Sequence, residues 1–420
     1  MVSTVRSLRD DRRFVRWATA DGISLTGSAV TTVVLPILVY QRTGSAAVTG
    51  ALFAVRVVPY LVFGLLAGPV ADRGNRRRLI VGGNLVEGTL VATIPFAAAL
   101  GILTVAHVYI VAFLSATAFV FSDAAVFGAV PALVGTDRIA AANGALSALA
   151  SMADIAGPVV AGLFVAEIGA ASAVWVDAAS FFIAAGLMAS IRSTFRPTDE
   201  LPRRASGREQ LAATVSFVRS RPVIGILFAT GFANSFAFGA MLGLLVPYAV
   251  TTLGLAKGSG LIGLLYGASG VGSLLAGLAF SRVFRANRVA WLTPASLLVS
   301  GAIAGALTAS RSWPVAAPLL VIFSAAITTT IMTGITYRQL ETPDNLRSSV
   351  NVIGRMISWG GQPFGALAGA LLASALTVKF TYGCASAVML VAAAAAGIAL
   401  RRQHHAVPRP KTPRQRRGHK

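Results

Sequence analysis

Apolar runs of about twenty residues alternate with short polar breaks along the chain. Each run is long enough, at 1.5 Å per residue, to cross a hydrocarbon core roughly 30 Å thick. The pattern predicts helices over about 15 to 40, 47 to 71, 79 to 101, 105 to 128, 143 to 166 and 171 to 191. A second set is predicted over about 223 to 250, 258 to 281, 289 to 309, 313 to 337, 349 to 374 and 380 to 400. Between the sets lies an Arg-rich stretch with Pro197 and Pro202, which reads as a linker over 192–222. The predicted fold class is all-α, with twelve membrane spans in two six-helix halves, 15–191 and 223–400. A short segment, 1–14, precedes them and a basic tail, 401–420, follows.

The polar breaks are themselves patterned. Arg6, Arg9, Arg12, Arg13 and Arg16 precede the first run, and Arg73, Arg76, Arg77 and Arg78 follow the second. Arg282, Arg285 and Arg288 follow the eighth, while the alternate breaks hold only Arg42, Lys257, Arg311 and Lys379. Basic residues stay on the cytoplasmic side of a membrane. An even number of spans then puts both termini in the cytoplasm, in a multi-pass protein of the inner (plasma) membrane. The first run is too long for a signal-peptide core and has no small-residue cleavage site behind it, so it is expected to be a retained helix.

Composition agrees: 55% of the 420 residues are hydrophobic and 12% charged, and mean hydropathy is +0.73. The net charge of +21 raises the question of nucleic acid. Its placement between the apolar runs argues against that partner and for anionic lipid headgroups, above all at the tail. The lone Cys384 has no disulfide partner and reads as core filler. An internal period of about 205 to 210 residues carries Gly68 to Arg73 onto Gly277 to Arg282, and Arg138 and Asn143 onto Arg347 and Asn351. A duplicated half around a midplane site is one of the architectures of secondary carriers.

The most specific segment is Gly68-Pro69-Val70-Ala71-Asp72-Arg73-Gly74-Asn75-Arg76-Arg77-Arg78. A plain basic loop accounts for its arginines but not for Asp72. It resembles the cytoplasmic signature loop of the major facilitator superfamily, with Gly74 one place earlier than usual, a variation found among drug, macrolide and siderophore exporters. The resemblance implies a gate. Asp72 would meet the N-terminus of helix 11 near Ser348 and Ser349, where free N–H groups favour an anion, and Arg76 would reach Asp123 in helix 4. Helix 5 carries Gly144, Ala153, Gly157-Pro158 and Ala161-Gly162, which resembles the superfamily's antiporter motif; close packing through small residues is the plainer reading. Ala141 to Gly144, Val176 to Phe181 and Arg355 to Gly369 also resemble this exporter group, so the likeness runs through nearly the whole chain apart from the termini.

Ionisable groups inside spans are costly and mark function. Asp21, Arg56, Glu87, Asp123, Asp154 and Asp177 qualify. If the superfamily's arrangement holds, helices 1, 4, 7 and 10 line the cavity and helices 2, 5, 8 and 11 flank it. That favours Asp154, then Asp21, over Glu87 as the acid that carries a proton, since a carboxylate shielded from water can exchange protons near neutral pH. A structural hydrogen bond is the other reading of Asp154, and a snorkelling acid that of Asp21. Arg56 is a cavity candidate and a possible partner of Asp177 at the same depth. Phe232, Asn234 and Phe236 in helix 7, with Trp359 and Gln362 in helix 11, offer an apolar pocket with polar anchors, or else packing and lipid contact.

No phosphate-binding Gly-rich loop and no metal-ligand cluster appears, so neither an ATP-driven pump nor a metalloenzyme is read from the chain, and no cofactor is expected. The resemblance implies a monomeric, proton-coupled exporter of a small amphipathic molecule: an antibiotic, drug or siderophore. A nutrient importer of the same fold and a non-transporting receptor remain as alternatives.

Overall fold

A computed structural model describes residues 8–191, 195, 207–285 and 288–406. Helices account for nearly all of them, and no strand occurs among the described residues. In chain order they are α1 (Arg12–Thr43), α2 (Ala46–Arg73), α3 (Arg76–Ala99), α4 (Val105–Val134), α5 (Ile139–Ile168), α6 (Ala170–Ala189) and α7 (Gly207–Ser220). There follow α8 (Pro222–Gly243), α9 (Leu245–Thr251), α10 (Leu261–Val283), α11 (Val289–Ala309), α12 (Trp313–Glu341), α13 (Asp344–Ala375) and α14 (Val378–Ala406).

The polar breaks start the helices by capping them. Asp11, Ser45, Asn75 and Thr104 each accept from a backbone N–H in the first turn of α1, α2, α3 and α4, satisfying donors that the helix cannot. Gly44 ends α1 with φ at 62°, a left-handed conformation that glycine adopts without cost.

Among the described residues eleven helices are long and apolar enough to cross a membrane. The expected span missing from these is the eleventh, 349 to 374, which corresponds to α13; it has 32 residues but carries Arg355, Ser358, Gln362 and Pro363 among its apolar residues. The expected seventh span, 223 to 250, is broken at Leu244 into α8 and α9. Pro247 lacks the N–H that would bond the Gly243 carbonyl, so a continuous helix loses its hydrogen bond there. The expected linker contains α7, whose Phe217 and Val218 pack against Ile224, Phe228 and Val350.

In the first six-helix set α1 packs against α5 and α6, α3 against α4 and α6, and α2 against α4. In the second, α8 packs against α13 and α14, α10 against α12, and α11 against α12 and α14. The sets touch through α2 with α13 and α8, and through α5 with α10. The long helices α1 to α6, α8 and α10 to α14 alternate in direction, so that α1 begins and α14 ends at one end of the bundle, the terminal end; the opposite is the far end. Large side chains such as Leu66, Phe96, Trp175, Leu278 and Trp291 stand exposed around the outside, as a lipid-facing surface requires.

Glycine governs the closest approaches. On α13, Gly361, Gly365 and Gly369 present bare backbone to Phe232, Phe236 and Ala240 of α8, and Gly239 of α8 returns the arrangement against Gln362. This four-residue spacing keeps the small residues on one face, the device by which helices pack where lipid removes any hydrophobic drive between them.

Candidate functional site

The loop between α2 and α3 is anchored by arginine. Arg76, 7% exposed, donates from Nη1 to the carbonyls of Gly128 (2.8 Å) and Phe195 (3.1 Å). A Cβ at Gly128 would stand 2.5 Å from its Cζ, so the guanidinium uses space that only glycine leaves. This differs from the expected Arg76 to Asp123 contact. Gly128 lies more than a turn closer to the terminal end than Asp123, level with Arg76. Asp123 instead accepts from the Tyr60 hydroxyl of α2 at 2.9 Å. Arg77 donates to the Ala189 carbonyl, Arg73 is exposed, and a Cβ on Gly68 would meet nothing within 4 Å. The side chains of Asp72, Ser348, Ser349 and Trp359 lie outside the described residues.

The helix 5 motif divides by what each residue touches. Gly157 faces α1, where a Cβ would stand 3.2 Å from the Thr26 carbonyl oxygen. Pro158 and Gly162 face α10: a Cβ on Gly263 would run into the Pro158 carbonyl and stand 2.9 Å from Gly162 Cα. Gly144 faces open space. Three of the four thus let α5 lie directly on α1 and α10, and two of those make the junction between the six-helix sets.

The acids separate by burial. Asp154 is exposed, with its own carbonyl against Gly270 of α10. Asp21 is half-buried and close enough to Asp123 for their charges to interact. Glu87 and Asp177 are 5% and 2% exposed, and close enough to each other to interact as well. Asp177 accepts from Ser28 Oγ at 3.5 Å and Ser180 Oγ at 3.4 Å. Gly27 permits this, since a Cβ there would lie 2.8 Å from an Asp177 carboxylate oxygen. Arg56 does not form the expected ion pair with Asp177; its Nη2 donates to Thr32 Oγ1 at 3.0 Å. Thr32 in turn donates to the Ser28 carbonyl at 2.8 Å, so two hydroxyl residues on one face of α1 link the two charges, which are close enough to interact without pairing.

Arg56 borders a cavity in the far half of the bundle, walled by Thr32 and Pro36 of α1, Phe53 of α2, Leu242 of α8 and Tyr266 of α10. The aromatic and amide candidates lie elsewhere. Asn234 is fully buried and its Nδ2 reaches the Ile327 carbonyl of α12 at 3.5 Å. Phe232 and Phe236 stack with centroids 6.4 Å apart along the α8 to α13 contact, where Gln362 also lies half-buried. Among the described residues no three His, Cys, Asp or Glu side chains gather as a metal site would need.

The profile of the Major Facilitator Superfamily matches residues 20–362. The chain belongs to this superfamily. Among sequence relatives of this major facilitator chain, the multidrug efflux pump Tap of Mycobacterium tuberculosis is 31% identical over 167 residues, 38% of this chain and 39% of that protein. Macrolide efflux protein A of Streptococcus pyogenes is 29% identical over 147 residues, 35% and 36% of the two. The matched stretches therefore span well under half of those relatives. Solved structures resemble it over most of its length at low identity. A bacterial homologue of the human lysosomal transporter Spinster, inward-facing and unoccupied, has a TM-score of 0.71 at 14% identity, covering 93% of this chain and 96% of that one. The nucleoside transporter NupG has a TM-score of 0.69 at 11% identity, covering 92% and 99%. These show a major facilitator fold.

Reading the sequence missed Tyr60, Tyr266, Thr32 and Ser28 as parts of the site. Hydroxyl side chains cost little in a span and are common there, so nothing in the linear pattern marks them. The available signal was the spacing of Ser28 and Thr32, one helical turn apart on the face where Asp177 and Arg56 are met.

Proposed function

We propose that this major facilitator protein is a secondary transporter, not an enzyme, which exports a small amphipathic molecule by alternating access in exchange for protons. The halves are 15–191 and 223–400, joined by the linker 192–222. The basic loops argue for cytoplasmic termini, which makes the terminal end the inner one. On that orientation the contacts between halves at the far end, Gly50 with Ala370 and Gly162 with Gly260, are those of an inward-facing carrier. The observation that carries the export reading is the α5 to α10 junction, in which the helix 5 motif shared with antiporters forms the crossing on which the halves would rock. The efflux functions of Tap and macrolide efflux protein A support the same direction. The signature loop with Asp72, Arg73, Arg76 and Arg77 would close the inner side.

Asp154 is the proton carrier in this reading. A coupling acid must stand where contacts change between states; Asp154 lies beside the junction, its carbonyl against Gly270 of α10, and its side chain has no hydrogen-bond or ion-pair partner among the described residues. Efflux of a fluorescent dye or macrolide is measured in cells lacking their own pumps, with and without a protonophore, for wild type and Asp154→Asn. Export that needs the protein and the gradient, and falls at least tenfold in the variant, is expected. Uptake by the wild type overturns the direction; undiminished export by the variant moves coupling to Asp21.

A further inference from the structure

Two acids and one base are buried together in the first six-helix set. Glu87 of α3 and Asp177 of α6 are almost wholly buried, and Asp177 is near enough for its charge to act on Glu87. Glycines bring them together. Gly88, beside Glu87, lets α3 lie on α6 one turn from Asp177: a Cβ there would stand 3.1 Å from Phe181 Cβ. Gly27 lets the Asp177 carboxylate lie against α1. The positive charge that acts on Asp177 is that of Arg56, which is held by Thr32 and forms no ion pair among the described residues.

Neither acid has the donors that an ionised carboxylate draws in, at about 2.7–2.9 Å. Glu87 has no hydrogen-bond or ion-pair partner among the described residues. Asp177 Oδ1 is met by Ser28 Oγ at 3.5 Å and Ser180 Oγ at 3.4 Å, and the Ser180 proton has a nearer acceptor in the carbonyl of Asp177 itself, at 2.8 Å. Thr31 Oγ1 is buried beside the same carboxylate and makes no hydrogen bond.

Charge decides what completes the group. Two ionised acids against one guanidinium leave a negative charge inside the bundle, and a buried charge without a partner neutralises itself by taking up or losing a proton. A water would satisfy lone pairs and leave the charge. A proton cancels it, needs no cavity and can be shared by two carboxyls at one site. The other titratable groups on neighbouring helices are engaged elsewhere. Tyr60 of α2 is within reach of the Glu87 charge but donates to Asp123 of α4, and Asp154 of α5 stands beside α10. The duplicated half shows that the fold itself asks for no such pair. The internal period carries Glu87 onto 292–297 and Asp177 onto 382–387, and neither stretch holds a charged residue.

We infer that Glu87 and Asp177 share one bound proton, with Arg56 as the counter-charge of the pair, and so form a proton site separate from Asp154. The inference goes beyond the export reading and does not depend on it.

Infrared difference spectra, wild type minus variant, test it at neutral pH on the purified full chain in phosphatidylcholine nanodiscs in choline chloride. Glu87→Gln and Asp177→Asn are each expected to remove the same single carboxylic C=O band, and the double variant to remove no more, because the acid left behind ionises against Arg56. Arg56→Gln is expected to double the band, since the pair then takes a second proton. Asp154→Asn should leave it in place, and its loss there would make the two sites one. A band that survives in Asp177→Asn assigns the proton to Glu87 alone and overturns the sharing. No loss in either single variant means two ionised acids and overturns the site, while an unchanged band in Arg56→Gln removes the counter-charge. Loss of the band when sodium chloride replaces choline chloride assigns the site to a sodium ion and overturns the proton. Should Asp177→Asn not fold, Asp177→Ser takes its place. No gradient and no substrate is present, so failure here leaves export through Asp154 standing, and failure of export leaves the band to be read.

Discussion

Arg76 illustrates how one side chain's partner depends on a neighbour without one. Its charge, and its place after Asp72, were visible in the sequence, and so was an acid in helix 4. That it donates to the carbonyl of Gly128 instead follows from the depth at which α3 starts beside α4, and from the missing Cβ there. Gly128→Ala places a methyl 2.5 Å from Arg76 Cζ, and overpacking of this kind costs about 1–3 kcal/mol. A clear drop in melting temperature of the detergent-solubilised protein is the expected result. Gly144→Ala, where a Cβ meets nothing within 4 Å, is expected to melt within about 0.5 kcal/mol of wild type, since surface changes away from special features do little. Equal melting of the two variants would show that Arg76 does not occupy the Gly128 niche.

Helices in this protein were legible as elements but not as surfaces. The approximate bounds of the long helices follow from apolar runs between polar breaks, whereas α7, inside the expected linker, and the separate α9 do not. The break at Leu244 was signalled by Pro247, yet the apolar run continues through it and masked the signal. The glycine ridge of α13 was present in the sequence as Gly361, Gly365 and Gly369; which helix it faced was not. Gly365→Val would drive a branched side chain into the Phe236 backbone, separating α8 from α13 along their whole contact. No monodisperse protein is expected on size-exclusion chromatography, whereas Gly383→Val, whose Cβ meets nothing within 4 Å, should elute as wild type does.

For the whole molecule, the far-end contacts between halves must open in every cycle if access alternates. A Cβ on Gly50 of α2 would lie 3.1 Å from Ala370 Cβ of α13, close to the 3.5–4.5 Å span of a disulfide. Gly50→Cys with Ala370→Cys, in a Cys384→Ser background, is expected to cross-link under mild oxidation. Export should then stop and return on reduction, with binding from the terminal end retained throughout. Export that continues in the fully cross-linked protein would exclude a rocking motion at this contact.

The sequence by itself determined that the chain lives in lipid, where its helices begin and end, which loops carry the positive charge, and which few ionisable groups are placed in spans at a cost. Hydropathy reports all of these, because each depends on how apolar a stretch is rather than on which way it faces. Only the tertiary structure decided that Asp177 and Glu87 are buried while Asp154 is exposed, that Arg56 is held by Thr32 and not by Asp177, and that Pro158 and Gly162 of helix 5 form the junction between halves. The physical reason is rotation about the helix axis. A membrane helix is apolar on its lipid face and on its protein face alike, so the period of 3.6 residues that orients a soluble helix is largely erased. The contacts that set the rotation are then made by glycines and hydroxyls, whose partners can lie in the other half of the chain, as Ala370 does for Gly50.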